Sequence, residues 1–197
     1  MIYIKSDKEI ELMRKPCQIV RDVLRLCEDK IKAGMTTKEL DKIAYDYITS
    51  CGAKPSFLGY GGFPAATCIS IDEQVVHGFP SDRIIEEDQI VSVDVGAYFN
   101  GFHGDAARSL YVGHISPEKK KLIDVTRECF FEGIKGICIG SALGDIGAQV
   151  QEHAEKNGFS VVRDMVGHGV GRNLHEDPSV PNYGRRGVGV RLKRNMT

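Results

Sequence analysis

An α+β fold of two similar halves is the architecture this sequence predicts, and three observations predict it. Two helices followed by strands bearing ionisable residues can be read twice along the 197 residues. The stretch Val91–Leu110 reads as a hairpin with an aspartate on each strand, Asp94 and Asp105. Histidines recur beside glycines at strand ends in both halves, as in Val76-His77-Gly78 and Gly167-His168-Gly169. An order of that kind suits two halves around one site within a single domain, 1–197.

The elements follow in order. Ser6-Asp7-Lys8-Glu9 is a capping-box pattern, opening a helix with apolar positions Ile10, Met13, Val20, Val23, Leu24 and Cys27. Pro16 falls inside it and predicts a kink or a helix start nearby. Thr36-Thr37-Lys38-Glu39 repeats the signature and begins a second helix, to about Ser50. Gly59-Tyr60-Gly61-Gly62-Phe63-Pro64 reads as a loop in which backbone can approach closely. Strands are expected at Ala66–Ile71 and, after a turn at Asp72-Glu73, at Val75-Val76-His77. The aspartate hairpin turns at Asn100-Gly101, a favoured tight-turn pair. Ser116-Pro117-Glu118 starts a third helix, to Gly133 or Gly136. A fourth runs from about Leu143 to Asn157, before Gly158. Short strands are expected at Phe159–Val162 and Met165–His168. The second half has fewer strand residues than the first, and the chain stops at Thr197 without a closing hairpin, so that half is expected to be incomplete.

Composition excludes several classes. A hydrophobic fraction of 42% and a charged fraction of 27% are ordinary for a soluble domain. With 26 basic against 27 acidic residues, no global charge favours nucleic acid or a membrane surface. The basic cluster Arg185, Arg186, Arg191, Lys193 and Arg194 reads as solvated surface. Six cysteines show no CxxC pair or zinc-finger spacing, and the start MIYIKSDKEI is no signal peptide. No apolar run approaches the roughly 18 residues of a membrane span. A reducing cytoplasm, with the cysteines as buried thiols, is the expectation.

The chemistry concentrates in Val91–Leu110. Ile90-Val91-Ser92-Val93 is β-branched and apolar, which suits a strand buried on at least one face. A carboxylate in such a strand is costly unless paired, hydrogen-bonded or bound to a cation. Two on neighbouring strands repel unless a proton or a metal ion lies between them. His168, set between glycines, and His175, seven residues on in His175-Glu176-Asp177-Pro178 before a proline-fixed turn, share a strand-end context that makes them candidate site residues. His77 completes the set. His103 shares the strand face of Asp105 and could stand near it, or lie beside the turn partly exposed. Arg108 reads either as a neutraliser of carboxylate charge or as a surface ion pair. Cys68 reads as a small buried apolar residue, and His114 and His153 as solvent-facing.

Taken together these segments resemble the type I bacterial methionine aminopeptidases. The resemblance rests on GYGGFPAATCISIDEQVVHGFP (59–80), SVDVGAYFNGFHGDAARSLYVG (92–113) and GHGVGRNLHEDPSVPNYG (167–184), and covers the chain from Ile4 onward. It implies the pita-bread fold of the creatinase/aminopeptidase group and removal of N-terminal methionine from nascent proteins. It also implies two divalent ions (Co, Mn, Fe or Zn), with Asp94 chelating one, Asp105 bridging both and His168 binding the second. His77 and His175 would contact substrate at the scissile amide and steady the tetrahedral intermediate. Tyr60, Phe63, Cys68 and Leu174 would line the methionine pocket, slightly loosened because Leu174 stands where the family often has an aromatic residue. Nascent N-termini are the implied partners, ribosome association is a further expectation, and the chain is expected to be monomeric, without nucleic-acid specificity or membrane attachment.

The family pattern also includes two further metal-binding glutamates, which would lie beyond Thr197, the first doubling as general base. Within the 197 residues Glu176 belongs to the His-Glu-x-Pro element and Glu152 to a helix, so neither replaces them. A polypeptide ending at Thr197 is therefore expected to bind metal weakly and to hydrolyse methionyl peptides poorly or not at all. Two other readings stand beside the enzyme: a non-catalytic binding module on the same fold, and a relative of the Xaa-Pro dipeptidases.

Overall fold

The structure, a computed structural model, describes residues 1–197. Its elements in chain order are α1 (Asp7–Lys30), α2 (Thr37–Ser50), β1 (Lys54–Pro55), β2 (Thr67–Ile71), β3 (Ile90–Phe99), β4 (Phe102–Tyr111), α3 (Pro117–Ile134), α4 (Leu143–Lys156), β5 (Gly167–Gly169) and β6 (Glu176–Val180). They fall into two units. One comprises Lys8–Lys119 and Gly171–Leu174; the other comprises Met1–Asp7, Lys120–Val170 and His175–Thr197.

In the first unit β3 is central. β4 pairs antiparallel along one edge over its whole length, while β2 and β1 share the other edge. The hairpin turn is the expected one, with Asn100 and Gly101 at φ of 49° and 88°. Sequence alternation decides which face does what. Val91, Val93, Val95 and Ala97 are fully buried, and with Ile69, Ile71 and Leu110 they form one cluster with Ile19, Val20, Val23 and Leu24 of α1 and Leu40, Ala44 and Ile48 of α2. Each fully buried aliphatic side chain contributes about 1.5–3 kcal/mol. A Cβ on Gly104 would stand 2.7 Å from the backbone of Pro16 and Cys17, so this glycine sets how closely α1 can lie on β4. α1 runs through Pro16 as one 24-residue helix. At the start of α2 the capping box forms as read: the Glu39 amide donates to Thr36 Oγ1 at 3.1 Å, and the Thr36 amide to the Glu39 carboxylate at 2.7 Å.

In the second unit, Val125 and Cys129 of α3 pack with Ala154 of α4, and Val150, Phe159 and Val161 lie against them. The expected strand at Phe159–Val162 does not form: Phe159 and Val161 pack into that cluster, and the Phe159 amide caps α4 through the Ala154 carbonyl at 3.0 Å. Of the expected Met165–His168 strand only Gly167 and His168 are in a strand, β5, paired with β6. Sequence reading placed a turn where β6 runs, because Pro178 lies in it; the Asp177–Pro178 bond is cis. Val75-Val76-His77 is likewise no strand. Both valines are exposed, and the segment meets β2 through Gly78, whose carbonyl accepts from Ile69 at 2.9 Å. All six cysteines are thiols, but only Cys27, Cys68 and Cys129 are buried, against the expectation for the whole set. No helix is long and apolar enough to cross a membrane.

Candidate functional site

Register on the hairpin places the two aspartates. Asp94 lies opposite Ala107 and Asp105 opposite Gly96, so the carboxylates are diagonal neighbours on the face turned away from the helices. They share a hydrogen bond, and the Asp105 carboxyl is pushed up to about 8, first by burial and then by the charge of Asp94. A proton holds the pair together at neutral pH, and a divalent cation would do the same with more charge to spare. The donor set therefore fits a hard or borderline metal ion. Within neither unit does a group of three or more His, Cys, Asp or Glu side chains converge as a metal cage.

An apolar cluster adjoins the pair. Cys68 of β2 lies directly opposite Asp94. Its side chain is buried with Phe57 and Leu174, and Phe63 packs against them. Burial, then the nearby charges of Asp94, Asp105 and Asp41, push the Cys68 thiol up to about 12. It is a protonated, apolar lining group, as the simpler reading of this residue had it. Gly96 makes the room: a Cβ there would come within 2.7 Å of the Phe57 ring and the Ser56 side chain. Phe63, Cys68 and Leu174 thus come together as expected, whereas Tyr60 lies outside the cluster, about half exposed. Phe57 and Ser56 were missed in the sequence, since nothing in Ser56-Phe57-Leu58 marks either as more than loop.

The tip of the hairpin seats the segment that carries Leu174. The His103 amide donates to the Gly171 carbonyl at 2.8 Å, and the Arg172 guanidinium lies over the Phe102 ring and pairs with Glu9 at 2.9 Å. His103 itself is on the aspartate face, its Nδ1 2.8 Å from Ser56 Oγ and its ring against Tyr98. Arg108 pairs with Glu28 at the surface and is no neutraliser of the aspartates. Asp41, also missed, backs β2 by accepting from both the amide and the hydroxyl of Thr67, at 2.8 and 2.7 Å.

His77 sits on the exposed loop beside β2 in the left-handed region, φ 60°. Gly78 pins it, because a Cβ at 78 would meet the Ile69 carbonyl oxygen at 2.2 Å, and the Gly78 amide donates to Ser70 Oγ at 3.1 Å.

In the second unit, His168 and His175 come together, ring centroids 4.2 Å apart. His168 Nδ1 lies 2.9 Å from the Gly169 carbonyl oxygen, which can only accept, so Nδ1 carries the proton and Nε2 the lone pair of the neutral ring. In that tautomer Nε2, rather than Nδ1, is the nitrogen that could coordinate a cation. Behind these rings, Glu176 forms an ion pair with Lys5 at 2.5 Å, both side chains no more than 4% exposed. His153, expected to face solvent, is partly buried and contacts Glu128 at 2.9 Å.

Residues 11–197 match the model of metallopeptidase family M24. The methionine aminopeptidase of Clostridium perfringens (strain 13 / Type A) is 52% identical over 196 residues, covering 100% of this chain and 79% of that protein. The crystal structure of methionine aminopeptidase from Rickettsia prowazekii superposes with a TM-score of 0.97 at 41% identity, over 100% of this chain and 79% of that one. Prolidase from Pyrococcus furiosus gives a TM-score of 0.85 at 25% identity, over 98% of this chain and 55% of that one. These likenesses bear out the pita-bread expectation.

Proposed function

This chain belongs to metallopeptidase family M24, on its methionine aminopeptidase branch, and on that premise we propose that it removes N-terminal methionine from polypeptides by metal-assisted hydrolysis. One observation supports this reading above the others. The apolar Phe57–Phe63–Cys68–Leu174 cluster abuts the Asp94–Asp105 pair through the Cys68–Asp94 register. An unbranched thioether matches an apolar, aromatic-walled pocket with a protonated thiol, and its own amide would then lie beside the carboxylates.

In this reading Asp94, Asp105 and His168 are the residues that would hold divalent ions, Co, Mn, Fe or Zn. When bound, such ions polarise the scissile carbonyl and make water a better nucleophile at neutral pH. The residues of the chain do the rest. Leu174 and its neighbours seat the methionine side chain and exclude water from it. His77 and His175 hydrogen-bond the scissile amide and the oxyanion that develops there. A carboxylate must be deprotonated to take a cation, so metal binding at Asp105 would be linked to pH. Substrates are nascent polypeptide N-termini in the cytoplasm, met by a monomer that associates with the ribosome.

The test is release of methionine from Met-Gly-X peptides against an X-Pro series, with each metal added in turn. Preference for Met-Gly-X is expected. Preference for X-Pro would move the chain to the Xaa-Pro branch, and tight metal binding without hydrolysis of either would make it a binding module.

A further inference from the structure

The ion pair between Lys5 and Glu176 is buried on both sides, with side chains 3% and 4% exposed and Nζ 2.5 Å from Oε2. Nothing in the proposed chemistry uses it. Its place in the chain is telling. Glu176 follows His175 directly and lies opposite Gly169 in the β5–β6 ladder, and Gly169 follows His168. Glu176 is thus joined through the backbone to one histidine and through a strand pair to the neighbour of the other. The register shifts between His168 and Gly169, and beside that shift the strands approach closely: a Cβ on Gly169 would meet the Asp177 carbonyl oxygen at 2.6 Å. Lys5 is itself fixed. Its amide donates to the Asn195 carbonyl at 3.0 Å, its Nζ also reaches the Tyr3 carbonyl at 3.3 Å, and Ile4 bridges to Met196. Next to the pair, the Met1 ammonium bonds the Asp177 carboxylate.

A pair of apolar side chains could fill the same volume with no desolvation cost, and such replacements often leave stability unchanged or improved. What an ion pair adds over apolar packing is direction: a carboxylate held by an ammonium at hydrogen-bond distance has one place to be. We infer that Lys5 is a positioning residue, whose buried contact with Glu176 sets the mutual placement of the His168 and His175 imidazoles. This rests on the proposed reaction for its consequence in turnover, and on geometry alone for its consequence in the rings.

The experiment compares wild type, Lys5→Met and the double variant Lys5→Met/Glu176→Met in the full protein. Each is followed by thermal unfolding, by NMR of the histidine ring nitrogens and protons without added metal, and by steady-state kinetics on Met-Gly-X. The wild-type rings should show the mutual ring-current shifts of a pair 4.2 Å apart and the Nδ1-protonated tautomer at His168. Lys5→Met should lose both signatures and lower kcat at least tenfold with KM within about twofold, because the methionine pocket belongs to the other unit. The double variant decides between roles, and it serves also if Lys5→Met does not fold. Recovered melting temperature with ring signals and kcat still displaced supports positioning. Recovery of all three together shows that the pair only stabilises the fold and overturns the inference, as do unchanged ring signals in Lys5→Met. Should wild type release no methionine, the proposed function fails, while the ring signals still decide the role of Lys5.

Discussion

Replacing Asp105 by Asn tests the acid pair most directly, because it removes the titrating group while keeping a donor toward Asp94. Burial, the charge of Asp94 and the hydrogen bond between them push the Asp105 carboxyl up to about 8, from 3.8 for an ordinary aspartate. The sign follows from proton counting. Between 3.8, where the unfolded chain releases this proton, and about 8, where the folded chain does, the folded state binds more protons, so stability falls as pH rises through that window. The slope is at most about 1.4 kcal/mol per pH unit, a ceiling of about 4 kcal/mol from about pH 5 to pH 8. The site face is turned away from the helices, and water reaching it raises the effective dielectric, so about half of that ceiling is expected.

Urea unfolding of the metal-free protein across this range measures the effect. Wild type should lose about 2 kcal/mol relative to Asp105→Asn on going from about pH 5 to pH 8, and the two should run parallel above about pH 9. Adding Mn or Zn should flatten the wild-type profile, release a proton on binding below about pH 8, and leave Asp105→Asn little changed. Parallel profiles of wild type and variant over the whole range would refute the shared-proton account of the pair.

Leu174→Ala empties the centre of the pocket. A loss of about 2–4 kcal/mol in urea unfolding is expected from the buried volume removed, with KM for Met-Gly-X raised more than kcat is lowered. Gly104→Ala drives a methyl to 2.7 Å from the backbone of Pro16 and Cys17, where no side chain can swing aside. It should cost about 1–3 kcal/mol and lower the melting temperature, while an unchanged melting temperature would mean that α1 is not held against β4 as described.

How much of this was legible follows from which signals are local. The hairpin was readable because a period of two and an Asn-Gly pair lie within one short stretch, and the capping box at Thr36 because its two partners are three residues apart. β6 was not, since Pro178 reads as a turn when the strand that pairs with it is unknown. Val75-Val76 misled in the opposite direction: β-branched residues suggest a strand, yet in the fold both are exposed on a loop. Asp94, Asp105, His77, His168 and His175 stood out through their glycine and strand contexts. Phe57 and Lys5 did not, because what makes each matter is a partner far off in sequence: Leu174 for one, Glu176 for the other.

Register ties the stability of the hairpin to its chemistry. Along β3, residues 91, 93, 95 and 97 enter the core, while 94 and 96 face the pocket and the second aspartate. A slip of one residue would bury Asp94 among the helices and expose three valines. Those three, fully buried, contribute about 5–9 kcal/mol, an upper figure because the unfolded chain already hides some of that surface. The protonation imbalance of the acid pair costs about 2 kcal/mol at neutral pH and above, so it cannot choose the register against them. The apolar face places the carboxylates, and in the proposed reading a cation would only have to replace a proton between groups already brought together.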